Sequence, residues 1–355
     1  MEARSLEFLK RLLDSPGPSS YEVLPARAWR AEAETFADRV TADVSGNSFA
    51  TLDAPAGPRI MLAGHIDEIG IMVTVIDEDG FLSFDPIGGW DHQVFVGQRV
   101  QLLTRAGPVP GVIGKKAIHL MDKDARDKVS KAEDLWIDIG AANRKEAEER
   151  VRIGDPGVLG SSVMTFPNGR LVSRSLDNRV GAFVVLEALR DLASGRPAAQ
   201  VTAVATTREE IGHTGGGARP GAGVIEADVA IVVDVTHATD YPGLEKRKHG
   251  EFRLGGGPTI TRGAAINPVV VELLVEVAAA ENIPVTFEAS PRQTSTDADN
   301  IFTALRGVAT GLVSVPLRYM HSPNEMVATD DLERAARLLA AFCRRVSAST
   351  DFVPR

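Results

Sequence analysis

The chain has 355 residues, enough for two domains or for one large domain carrying an insertion. With 44% hydrophobic and 25% charged residues it can bury a core, and a net charge of −9 with a pI near 5.4 leaves no basic footprint for nucleic acid. One cysteine excludes an intrachain disulfide, and no stretch approaches a membrane span or an uninterrupted apolar leader, so no membrane partner is expected and a cytoplasmic location is the default reading.

Leu6, Leu9, Leu12 and Leu13 recur at helical spacing and stop before the turn-rich Ser15-Pro16-Gly17-Pro18-Ser19-Ser20. A second helix is predicted from Val23 to Phe36, then strands over Ser48 to Leu52 and Arg59 to Gly64, the latter almost wholly apolar and so buried in a sheet. From Ile69 to Leu171 the texture changes. Short strands near 71–76, 81–84, 99–104 and 109–114, separated by Gly, Pro and Asp, predict a small β-barrel or sandwich. The charged run Arg144 to Arg150 reads as a solvated helix face.

After Asp177 an αβ rhythm returns. Helices are predicted near 180–192, 268–280 and 330–346, with strands at 200–206, 227–233, 285–287 and 309–315. That alternation predicts an α/β fold with a largely parallel sheet covered on both faces and a ligand crevice at the carboxyl ends of its strands. Cys343, in Leu338-Leu339-Ala340-Ala341-Phe342-Cys343, reads as a packed thiol on the last helix.

His65, Asp67, Asp177, Glu209, Glu210, Asp234 and His321 are metal-ligand types, most of them at or just past a strand end. Each also has an ordinary reading. His65 and Asp67 form either a hydrogen-bonded pair or a ligand with the carboxylate that orients its imidazole. Asp177 precedes an apolar helix, so it is either an N-cap or a carboxylate bridging two cations. Glu209 and Glu210 point to opposite sides of an extended chain, which lets one bind metal while the other moves protons, unless both are solvated. Asp234 abuts a buried strand and needs a partner. His321 alone would be a loop histidine. Together the seven suit a two-metal hydrolase.

Five segments carry a resemblance: 63–70 (AGHIDEIG), 175–181 (SLDNRVG), 207–212 (TREEIG), 233–236 (VDVT) and 319–323 (YMHSP). In this order they resemble the tetrahedral-aminopeptidase and glutamyl-aminopeptidase family of dinuclear metallo-exopeptidases, some of whose members were once labelled cellulase M. The likeness runs from Pro18-Ser19-Ser20-Tyr21-Glu22 to the last helix.

The resemblance implies a zinc-exopeptidase type of mixed sheet in residues 1–68 and 172–355, with 69–171 inserted as a β-barrel oligomerisation domain. It implies two divalent cations per subunit, zinc with cobalt and manganese as alternatives, about 3.5–4 Å apart. His65 and Asp234 would hold one cation and Glu210 and His321 the other, with Asp177 bridging. Asp67 would orient His65, and Glu209 would be the general base toward a metal-activated water. The implied activity is removal of N-terminal residues from short peptides, in a homo-oligomer that assembles as a tetrahedral dodecamer, with dimers as building blocks. The glycine-rich 213–218 departs from the family pattern. His213 and His237 read as surface or supporting residues, and His92, His119 and His249 as structural; the segments Gly255 to Pro258 and Thr294 to Ala298 resemble cleft-lining ones. Alternatives are a metal-dependent deacylase or carboxypeptidase, a non-catalytic binding protein, or a glycosidase using two carboxylates without metal.

Overall fold

The computed structural model describes residues 1–212 and 216–355. His213 to Gly215, part of the glycine-rich departure, lie outside the described residues. No described helix is long and apolar enough to cross a membrane.

The frame is a mixed, mostly parallel sheet of eight strands, in the order Arg39–Ala42, Ser48–Leu52, Gln200–Thr206, Arg59–His65, Val229–His237, Ala309–Leu317, Thr259–Gly263 and Thr286–Ser290. The four central strands run parallel, from Gln200–Thr206 across to Ala309–Leu317. Their sequences are near-continuous apolar runs because helices cover the sheet, and Ile60, Met61, Leu62, Val229, Ile231 and Val233 are all fully buried. Each such side chain stabilises the fold by about 1.5–3 kcal/mol. The helix Leu176–Ser194 lies against the central strands with Phe183, Leu186 and Leu189 in the core, while Pro268–Ala280 and Thr329–Arg345 pack around Leu274 and Leu338. Cys343 is buried there, where desolvation pushes its thiol up, so it is a packing residue.

One contact sets the site's dimensions. A Cβ added to Gly64 would lie 2.4 Å from the Gly181 carbonyl carbon, and one added to Gly181 would lie 2.6 Å from the Val233 oxygen. Helix and sheet therefore meet backbone to backbone. The helix start, with Asp177, is brought down onto the end of the His65 strand.

Six antiparallel strands form a closed barrel between Gly70 and Leu159, with its own core of Ile71, Phe84, Phe95, Leu102 and Ile137. Two of these, Leu135–Asp138 and Pro156–Leu159, are too short and too interrupted by charge and glycine to stand out in the sequence. Met164–Phe166 falls in the last part of the 69–171 segment, yet it pairs with Arg170–Ser173, which pairs in turn with Glu325–Ala328 near the C-terminal helix. The charged run contains the helix Arg144–Glu148, exposed except for Ala147 and its half-buried neighbour Glu146.

Candidate metal centre

Local structure delivers all seven sequence-selected residues to the carboxyl edge of the parallel strands. His65 ends its strand, and Glu209 and Glu210 follow Gln200–Thr206 by three and four residues. Asp234 was expected to end its strand but lies inside it, since pairing with Ala309–Leu317 continues to His237. Asp177 sits in the first turn of its helix without capping it; its carboxylate accepts from imidazoles instead. Arg208, Tyr319 and His321 hold left-handed φ of 59–62° without being glycine, a cost of about 1–3 kcal/mol each that clusters at the site.

His65 Nε2 is 3.2 Å from Asp177 Oδ1, 3.8 Å from Glu209 Oε2 and 4.0 Å from Asp234 Oδ1. His321 Nε2 is 3.5 Å from Asp177 Oδ2 and 3.3 Å from Glu210 Oε2. The two oxygens of Asp177 thus face two different imidazoles. His65, Asp177 and Glu210 can present ligand atoms that all lie within 4.8 Å of one another. Glu210 Oε1 is buried without a hydrogen-bond partner. An unpartnered buried carboxylate oxygen inside a ring of nitrogen and oxygen donors, with no lysine or arginine among the described cavity residues, fits a divalent cation.

The electrostatics agree. Burial pushes Glu209 up to about 10; His65 opposes this, while Asp234, Asp297 and Glu210 add to the rise. Burial, then Asp177, carries Glu210 to about 7. Burial alone would pull His321 down, yet hydrogen bonds with Asp177 and Glu210 carry it up to about 11. Positive charge on the imidazoles offsets burial only in part, both glutamates stay raised, and bound cations would supply more.

The supporting groups are as specific as the ligand-type residues. Asp67, fully buried, accepts from Ser19 Oγ at 2.6 Å, from the Glu209 amide at 3.1 Å and from the Glu210 amide at 3.2 Å. It also lies 3.4 Å from His65 Nδ1. Burial alone would raise its carboxyl, but His65, Ser19 and the Glu209 amide hold it below the usual carboxylate range. Glu325 accepts the Asp177 amide at 3.0 Å and the His321 amide at 2.9 Å. Glu68 holds Arg174 and Arg179 at 2.7–2.8 Å, and Arg179 reaches back to the Ile66 carbonyl at 3.1 Å. His321 Nδ1 donates to the Gly89 carbonyl at 2.5 Å, leaving Nε2 free toward the cluster. Sequence reasoning missed Ser19, Glu68, Arg179, Glu325 and Gly89. Glu68 and Arg179 lie inside the segments 63–70 and 175–181, and Glu325 stands four residues after His321, but none of the three is marked out there as a supporting group.

The cluster opens into a cavity of about 870 Å³ whose walls include Gly88, Gly89, Thr236, His237, Glu288 and Thr294 to Thr296. Gly255 to Pro258, expected in the cleft, are absent from these walls; the Gly255 and Gly257 amides bind Asp331 instead. His237 is an exposed cavity residue. His92 stacks on Phe95, whereas His119 and His249 are exposed in short surface turns rather than packed.

The M42 glutamyl aminopeptidase family matches residues 46–338. The chain belongs to this family. It is an aminopeptidase, a metallopeptidase hydrolase, and the earlier family resemblance stands. It is similar to the lysyl aminopeptidase of Pyrococcus furiosus, at 35% identity over 354 residues and 98% and 99% of the two chains. Among solved structures it is similar to a TET aminopeptidase from a marine-sediment Thaumarchaeota archaeon, with a TM-score of 0.91, 34% identity and 97% of each chain covered. The Pyrococcus horikoshii TET1 peptidase, which can assemble into a tetrahedron or a large octahedral shell, matches with a TM-score of 0.84 at 28% identity over 96% and 100% of the chains.

Proposed function

We propose that this M42 enzyme removes N-terminal residues from short peptides at a two-cation centre held by His65, Asp177, Glu210, Asp234 and His321. The observation that carries the reading is Asp177, whose two oxygens lie 3.2 and 3.5 Å from the Nε2 atoms of two separate imidazoles. Asp177 would bridge, with His65 and Asp234 on one side and Glu210 and His321 on the other. The mixed imidazole and carboxylate set suits zinc, and admits cobalt or manganese. When bound, two such cations supply Lewis acidity toward a carbonyl oxygen and toward a water molecule.

Glu209 is the proton carrier. Its Oε2 faces the cluster 3.8 Å from His65 Nε2 while the neighbouring Glu210 takes the ligand role, so Glu209 is placed to accept a proton from the attacking water and pass it to the leaving amine. Asp67 holds the amides of both glutamates and orients His65. The carboxylate-rich cavity favours the cationic α-amine of a peptide. Residues 1–68 and 172–355 would form the catalytic unit, with 69–171 directing assembly into a tetrahedral dodecamer.

The test uses matched short peptides with free and N-acetylated termini, before and after exhaustive chelation. Cleavage confined to the free-amine peptide, abolished by chelation and restored by zinc, cobalt or manganese, is the expected result. Rapid cleavage of the blocked peptide, or release from the C-terminus, favours the deacylase or carboxypeptidase reading; undiminished activity in verified metal-free protein removes the two-cation mechanism.

A further inference from the structure

Beyond the metal cluster the described cavity wall holds two more carboxylates, Asp299 and Glu288, and neither lysine nor arginine. Asp299 is already engaged. It accepts the Thr294 and Ser295 amides at 2.8–3.0 Å and the Thr294 hydroxyl at 2.9 Å.

Glu288 is different. In the strand Thr286–Ser290 the exposed residues are Phe287 and Ala289, so Glu288 lies on the opposite, cavity-facing side. It accepts a single hydrogen bond, from Thr236 Oγ1 to Oε1 at 3.2 Å, and its other oxygen has no protein partner among the described residues. The imidazole of His237, on the same wall, is exposed. A half-buried carboxylate with one weak donor is poorly compensated. Burial raises its carboxyl above the ordinary value, the Thr236 hydrogen bond and the neighbouring His237 oppose this only in part, and an incoming cation would offset what remains.

Its distance from the chemistry is set by the sheet. Thr236 follows Asp234 by two residues on one strand, so their side chains share a face about 6.5–7 Å apart, and Glu288 touches Thr236. A peptide whose α-amine is at the cluster would need a side chain of several methylenes to reach Glu288. Lysine and arginine have such stems with a cationic end, and Leu312 and Met320 give apolar wall for the methylenes.

We propose that Glu288 reads the first side chain of the substrate and that the enzyme prefers peptides beginning with a basic residue, lysine or arginine. The inference rests on the aminopeptidase reading above and adds the substrate class.

The experiment measures kcat/KM of the metal-loaded protein on Lys-, Arg-, Leu- and Glu-aminoacyl chromophores, for the parent, Glu288→Gln and Glu288→Arg, with circular dichroism to establish folding. The parent should favour Lys and Arg over Leu, with Glu slowest. Glu288→Gln, nearly isosteric, should reduce the Lys-over-Leu ratio by about 10- to 100-fold, the range for losing a hydrogen bond to a charged group. Glu288→Arg should raise the Glu-over-Lys ratio. A parent that prefers Leu or Glu, or a Glu288→Gln variant with the parent's Lys-over-Leu ratio, overturns the assignment and leaves the aminopeptidase reading intact because free-amine substrates are still cleaved. Turnover of N-acetylated but not free substrates overturns both. Should Glu288→Arg not fold, the Glu288→Gln ratio alone decides.

Discussion

Replacing Asp67 by asparagine tests whether the carboxylate beneath the cluster positions the two glutamates. It keeps the volume but offers one acceptor oxygen where the native residue offers two, and the Glu209 and Glu210 amides now use one each. One amide then faces an NH₂ group. A buried donor left unsatisfied costs about 1–3 kcal/mol, and exchanging a charged acceptor for a neutral one at the other amide adds about 1 kcal/mol. The sum is about 2–4 kcal/mol. If the turn shifts to relieve it, the same energy is withdrawn from the geometry of Glu209 and Glu210, which at about 1.4 kcal/mol per decade lowers kcat/KM by about 30- to 1000-fold. Loss of the carboxylate behind His65 should also weaken metal affinity by about 10- to 100-fold. Metal titration by calorimetry, melting with and without metal, and steady-state kinetics read the three effects separately. Ser19→Ala removes only a neutral donor from Asp67 and should cost about 1 kcal/mol. An Asp67→Asn protein that binds metal and turns over within about threefold of the parent would refute the positioning argument.

Glu209→Gln should retain metal content while kcat falls by about 10²–10⁴-fold; loss of metal with little kinetic defect would mean that Glu209 and Glu210 have exchanged roles. His321 is carried up to about 11 in the protein without metal, so at neutral pH it holds a proton that must leave before Nε2 can bind a cation. Metal loading should therefore release protons, and affinity should rise with pH from 6 to 8; calorimetry in two buffers of different ionisation enthalpy checks this, and zero net release contradicts it. Sedimentation should show a large particle that charge substitutions at the exposed barrel positions Val75, Ile118 and Leu120 reduce to smaller folded species, whereas a strictly monomeric parent would end the assembly proposal.

The central strands were legible because burial on both faces leaves continuous apolar runs such as Val229 to Val233, and the helix at 268–280 because Asn267 caps it before a proline. The strand Thr259–Gly263 was not, since glycine and proline precede it and its partners are set by distant chain. The same division runs through the site. Ligand-type residues advertise themselves by chemistry, so His65, Asp177 and His321 could be selected from their types and their places in the sequence. Ser19 in a turn-rich break, and Gly89 acting through a carbonyl that every residue possesses, gain meaning only from what the fold puts against them.

That carbonyl bears on how freely the barrel could be exchanged. Gly89 follows the second barrel strand, yet its oxygen holds the imidazole of His321, 232 positions away and beyond the last strand of the main sheet. A Cβ at Gly89 would lie 3.3 Å from that ring, so the loop is fitted to the histidine as well as bonded to it. A graft that replaced the whole barrel with a relative's would carry this loop with it and would have to reproduce the same reach. The outer face of the barrel is therefore free to change, while the lip bearing Gly89 stays tied to the imidazole of His321.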